Sequence, residues 1–151
     1  MRFLGRLFLG TGELPVKVRD ALAAEGLVLL EEGVPGSIRY DHFKAPGKRF
    51  NGKVTPQRMG VGISERRVVV YCRSGRAELI DSPFESPRFD AVSVSLKSSD
   101  ELEIRVDYDE MDDAEAAGVS GVIAINLKTS NAGIACEGLR SRLTGRERVE
   151  L

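Results

Sequence analysis

The sequence predicts a mainly β fold with terminal helices, built as a partly open barrel or orthogonal sandwich of seven to eight antiparallel strands capped by a C-terminal helix. Three observations carry this expectation. Short segments alternate apolar and polar residues with the period of two that marks a half-buried strand, most clearly at Met59–Ile63 and Val92–Lys97. Turn residues such as Ser64-Glu65, Ser74-Gly75 and Ser98-Ser99-Asp100 separate these segments at short intervals, so successive strands are local neighbours. Amphipathic helical stretches flank the strands at either end. A meander with one apolar face must close on itself or stack as two sheets, and a terminal helix can then plug the open end.

The 151 residues fit a single domain, 1–151, able to bury a core. It divides into an arm and helix (1–26), a β meander (27–128) and a capping helix (130–144). The arm, MRFLGRLFLG, is apolar at Phe3, Leu4, Leu7, Phe8 and Leu9. Arg6 interrupts it too early for a signal-peptide core, and no other segment approaches a membrane span. A cytoplasmic location is therefore expected. The arm is read as packed on the domain, with a dimer contact or a membrane foot as the sharper alternatives.

Leu14, Val18 and Leu22 recur every fourth residue and predict a helix over about Pro15–Glu25, with Pro15 in its first turn and Gly26 as its left-handed stop. Lys17, Arg19, Asp20 and Glu25 are assigned to water. Leu27–Leu30 reads as a strand, and Pro35-Gly36 as a turn into a second strand, Ser37–Phe43, with Ile38, Tyr40 and His42 on one face. Residues 44–57 hold two prolines, two glycines and Asn51-Gly52, and so read as a long hairpin loop or a distorted ribbon. Met59, Val61 and Ile63 then alternate with Gly60 and Gly62, Arg67–Cys72 is a β-branched and aromatic run, and Ala77–Ile80 comes next. Pro83 and Pro87 exclude a central strand. Val92, Val94 and Leu96, then Leu102, Ile104, Val106 and Tyr108, then Ile123, Ile125 and Leu127 are the inward positions of the last three strands. The final helix begins near Ser130 or Asn131, with Ile134, Leu139 and Leu143 as its buried stripe.

The charges nearly cancel, 22 cationic against 23 acidic residues, so the sum gives no reason to expect nucleic acid as partner. Their placement is uneven. Arg39, Lys44, Lys48, Arg49, Lys53 and Arg58 crowd twenty residues that hold one acid, Asp41. Gly47 and Gly52 let backbone come close to a ligand there. Lys44, Lys48, Arg49, Lys53 and Arg58 are the candidate ligand-binding residues, and a solvated loop is the plainer alternative. Phe43 and Phe50 are the aromatics near enough to stack on a base. Asp100–Glu115 is correspondingly acidic. DYDEMDD there superficially suggests a calcium loop, but Met111 stands where an oxygen ligand belongs and Asp112 where the glycine belongs.

Cys72 and Cys136 lack metal-ligand spacing and read as small buried residues. His42, the sole histidine, has no nucleophile motif to serve and reads as structural. Gly60-x-Gly62 lacks the rest of a dinucleotide fingerprint. No catalytic residue, metal site or cofactor is expected.

ISERRVVVY at 63–71 resembles the strand–turn–Arg–strand signature of bacterial pleckstrin-homology-like and GRAM-like domains. The segment through Ile80, Asp81, Pro83 and Phe84 is similar to the place in those domains where the next strand ends and a loop leads onward. In architecture the resemblance spans about residues 27–144. It implies a PH-like barrel and a non-enzymatic module that binds a protein partner or an anionic lipid head group, homo-oligomers included. The chain departs from eukaryotic members in having no Trp. Lys48 and Arg49 are adjacent, with no second Arg at the phosphoinositide-motif step. The alternative expectation is a lipocalin-like carrier holding a small apolar ligand inside the barrel. A core filled by Val92, Leu96, Ile104 and Ile125 would argue against it.

Overall fold

The long first strand organises the molecule. In this computed structural model, which describes residues 12–72, 77–112 and 116–150, helix α1 (Val16–Ala24) precedes eight strands. They are β1 (Leu27–Ala45), β2 (Lys48–Phe50), β3 (Lys53–Ser64), β4 (Arg67–Cys72), β5 (Ala77–Pro83), β6 (Val92–Ser98), β7 (Glu101–Asp107) and β8 (Ser120–Lys128). Helix α2 (Ala132–Glu150) closes the order and runs past the expected end at 144. Every pairing is antiparallel, in the order β5-β4-β3-β1-β8-β7-β6, with β2 as a short ribbon on β1. The result is a curved half-barrel, mainly β, with a helix at either end of the chain, as the alternation predicts. Among the described residues, β5 and β6 are the edge strands. The apolar arm at 1–10 and the Ser74-Gly75 turn lie outside the described residues.

β1 corrects one expectation. Pro35-Gly36 does not reverse the chain: Pro35 pairs with Arg58 and Gly36 with Gln57 as one strand continues from Leu27 to Ala45. Gly33, at φ +69°, takes up an irregularity between Glu31 and Val34, and the strand bends instead of turning. Beyond the bend β1 lies between β3 and β8, and so joins the two halves of the sheet.

The concave face holds the main core. Met59, Val61 and Ile63 of β3, Val68, Val70 and Cys72 of β4, Ile104 of β7 and Ile125 of β8 are all buried in it. Ile104 and Ile125 are cross-strand partners and Val92 packs against this core, but Leu96 is 43% exposed, a departure from its expected inward place. The convex face of β3 and β4 carries a second cluster, Leu14, Leu22, Val69 and Tyr71, with Val18 against it. β4 is thus buried on both faces, which is why it reads as an unbroken apolar run. Gly60 and Gly62 now have a purpose. A Cβ on Gly60 would stand 3.0 Å from Leu14, and one on Gly62 would run into Leu22, so the glycines form the trough in which α1 lies.

Ionic contacts fix α1 to the sheet. Arg67 Nε donates to Glu25 Oε1 at 3.1 Å and its NH1 to Asp81 Oδ1 at 2.7 Å. Ser64 Oγ donates to Glu25 as well and accepts from the backbone of Arg66 and Arg67, forming the β3–β4 turn. Glu25 is therefore turned inward, contrary to its assignment to water. Burial lowers the Arg67 guanidinium, but Asp81 and Glu25 outweigh it and hold the pKa above its ordinary value. Burial, then the charges of Asp81 and Glu78, raise the Tyr71 phenol, whose hydroxyl lies 3.2 Å from both carboxylates.

Helix α2 covers the other face with small residues. Ala132, Ala135, Cys136 and Leu139 enter the main core, and Ile134, expected to be buried, is 60% exposed. A helix lying across the mouth of a concave sheet needs slim side chains to approach it. Leu143's side chain lies outside the described residues. Glu31 on β1 accepts from Thr129 Oγ1 at 2.6 Å and Asn131 Nδ2 at 2.7 Å, and Arg142 reaches Glu65 at 2.9 Å. These contacts place α2 at the end of the half-barrel where β1 starts and β3 ends. At the opposite end, where β1 ends and β3 starts, neither helix of the described residues lies across the sheet.

Candidate functional site

The open end is built from the β1–β2–β3 ribbon. Phe43 pairs with Phe50, Lys44 with Arg49 and Ala45 with Lys48. Residues 44–57 are thus the distorted ribbon of the two sequence alternatives. A bulge just before it sets which way the side chains point. His42 adopts φ +50°, and the β1–β8 register shifts between Asp41 and Lys44. His42 is consequently exposed and Phe43 takes the inward place, which corrects the face shared by Ile38, Tyr40 and His42. Asn51 Oδ1 accepts the His42 N–H at 3.2 Å, and Tyr40 O accepts the Gly52 N–H at 2.7 Å, so the ribbon is tied at its base. Gly121, at φ +87°, lets β8 pass the bulge, because a Cβ there would collide with the His42 carbonyl.

The five candidate cations divide into three places. Lys48 and Lys53 line a cleft of about 400 Å3 on the concave side, together with Tyr40, Phe43, Phe50 and Tyr108. Lys44 and Arg49 line a separate notch of about 360 Å3 on the other side of the ribbon, with His42, Asn51, Asp109 and Ser120. Arg58 lies five residues along β3 from Lys53, about 17 Å at strand rise. It is half-buried and donates to the Gly33 carbonyl at 3.2 Å, at the bend of β1. Lys44, Lys48, Arg49 and Lys53 are exposed, and among the described residues no carboxylate pairs with any of them.

The described part of the acidic segment adjoins this end. Gly118 lies beside Pro46 of the ribbon turn. Asp109 shares the notch with Lys44 and Arg49, but its Oδ1 accepts the Gly121 N–H at 3.0 Å, and Asp107 Oδ1 in turn accepts the Asp109 N–H. These are turn-forming hydrogen bonds. Among the described residues no three His, Cys, Asp or Glu side chains gather where they could hold a metal ion.

Four aromatic rings complete the cleft. Tyr40 stands 5.2 Å from Phe43 and 5.1 Å from Phe50, centroid to centroid, and Phe43 lies 6.2 Å from Tyr108. Phe43 and Phe50 are parallel within 5°, and Lys53 Nζ sits 4.2 Å above the Phe50 ring. In the sequence, Tyr40 and Tyr108 are visible only as inward strand positions. The signal for their meeting is the Phe43–Phe50 pairing, which needs the register of the ribbon.

No protein-family model matches the chain, and no curated protein matches it. Fold and site together define a curved, partly open antiparallel sheet, helix-capped, with a cationic ribbon at the open end. No helix among the described residues is long and apolar enough to cross a membrane.

Proposed function

We propose that this chain is a non-enzymatic, PH-like binding module that engages anionic head groups through the ribbon cations Lys44, Lys48, Arg49 and Lys53. One observation carries the reading. Lys44 and Arg49 are direct cross-strand partners, an arrangement of like charges that costs stability, and among the described residues no carboxylate pairs with either. A surface that keeps such a pair gains when an anion arrives. Each cation near an anionic membrane contributes about 1 kcal/mol. Exposed Val54, next after Lys53, suits a head-group layer better than a polar protein face.

Sedimentation with vesicles of neutral lipid, with and without an anionic lipid, tests the proposal. The full chain should sediment only with anionic vesicles, less at high salt, and Lys44→Glu with Arg49→Glu should remove the binding. Failure to bind anionic vesicles at low salt overturns the head-group reading. If the same double variant instead abolished capture of a protein, the partner would be a protein.

A further inference from the structure

The cleft on the concave side carries chemistry that a head-group surface does not need. Tyr40, Phe50 and Tyr108 are only half-buried, and their rings border a solvent-accessible recess of about 400 Å3. That volume falls in the range of small-molecule sites. Aromatic surface left facing water forgoes the stabilisation its burial would give, so an occupant that covers the rings is favoured. Phe43 and Phe50 stack in parallel planes with centroids 6.3 Å apart, Tyr40 is tilted against both, and together they give the recess an aromatic wall. Lys53 stands over one of those rings, Lys48 lines the same recess, and Thr55 and Gln57 add hydrogen-bonding groups.

We propose that this cleft binds a small planar aromatic anion, its ring against Phe43 and Phe50 and its anionic group at Lys48 and Lys53. The inference goes beyond the head-group reading: it gives Lys48 and Lys53, which that reading also uses, a second kind of ligand on the opposite side of the ribbon from Lys44 and Arg49. A rigid ring suits an aromatic-lined recess better than a flexible chain, which would lose rotamer freedom on entering. Lys48 and Lys53, both on the lining, select against a neutral ring, and Glu78 on the same lining disfavours a second negative charge on the ligand.

Calorimetric titration of the full chain with 2-naphthoate tests this. One molecule should bind per chain, and the neutral 2-naphthamide and the ring-free decanoate should each bind at least about tenfold more weakly. Lys48→Gln with Lys53→Gln, both exposed and expected to fold, should weaken naphthoate about tenfold. Thr55→Trp, which fills the recess, should abolish binding, and Lys44→Gln with Arg49→Gln should leave it unchanged. As a measurement independent of any variant, naphthoate should shift the amide resonances of Phe43, Phe50 and Thr55. Absence of saturable binding, decanoate binding as tightly as naphthoate, or equal losses from the two double variants would overturn the proposal. Naphthoate binding without vesicle binding would leave the cleft standing and remove only the head-group reading, and the reverse would do the opposite.

Discussion

Gly36 is the residue on which the joining of the two sheet halves depends. It pairs with Gln57 on one side and Leu127 on the other, at the point where β1 first meets β8. A Cβ there would fall on the Asn126 carbonyl and stand 2.8 Å from Met59 Cε. The methionine end can move, but the carbonyl belongs to a paired strand and cannot. Gly36→Ala should therefore cost about 3 kcal/mol in urea unfolding, at the upper end of ordinary overpacking. Gly47 is the control. It has φ +74° and open space around its Cβ position, so Gly47→Ala should cost only the left-handed strain, about 1 kcal/mol. Equal losses at the two positions would mean that the approach of β1 to β8 is not the constraint.

Among the elements, α1 is the one held chiefly by side-chain contacts of few kinds. It buries Leu22, is preceded by buried Leu14, and meets the sheet again through the Glu25–Arg67–Asp81 chain of ion pairs. Arg67 is 18% exposed in its side chain, so removing it leaves Glu25 and Asp81, both partly buried, without their shared cation. Arg67→Met should cost about 3 kcal/mol, and amide exchange should accelerate first in Val16–Ala24. Uniform acceleration across β3 and β4 would show instead that the network holds the sheet. At this scale the sequence is most legible. The Met59/Val61/Ile63 alternation, the Gly26 stop and the unbroken β4 run each arise from local pattern, because each is decided by burial on one or both faces. What local pattern misses is decided by distant contacts. Pro35-Gly36 has the composition of a turn, but β3 and β8 hold the backbone extended through it. Ile134 fits a helical stripe, yet the sheet's concavity admits Ala132, Ala135 and Cys136 instead. The crowding of cations at 44–58 is visible in the sequence, but their division between two faces depends on the bulge at His42, which shifts the alternation by one residue.

In the whole molecule, the two ends of the half-barrel do different work. The end covered by α2 carries Glu31 with Thr129 and Asn131, and the Arg142–Glu65 pair, contacts that stabilise. The ribbon end sets Lys44 against Arg49 and leaves aromatic surface facing a recess. If the cost at the ribbon end is kept for binding, one substitution should move stability and binding in opposite directions. Arg49→Glu places a carboxylate opposite Lys44 and converts a repelling cross-strand pair into an attracting one. It should raise unfolding stability by about 0.5 kcal/mol, because exposed opposite-charge pairs contribute that much in a sheet. The same change removes one cation and adds one anion at the proposed surface, so binding to anionic vesicles should fall by about tenfold or more. Naphthoate binding should persist, since Arg49 faces away from the cleft. A variant that lost stability and binding together would mean that Arg49 serves the fold, and the division of labour between the two ends would fail.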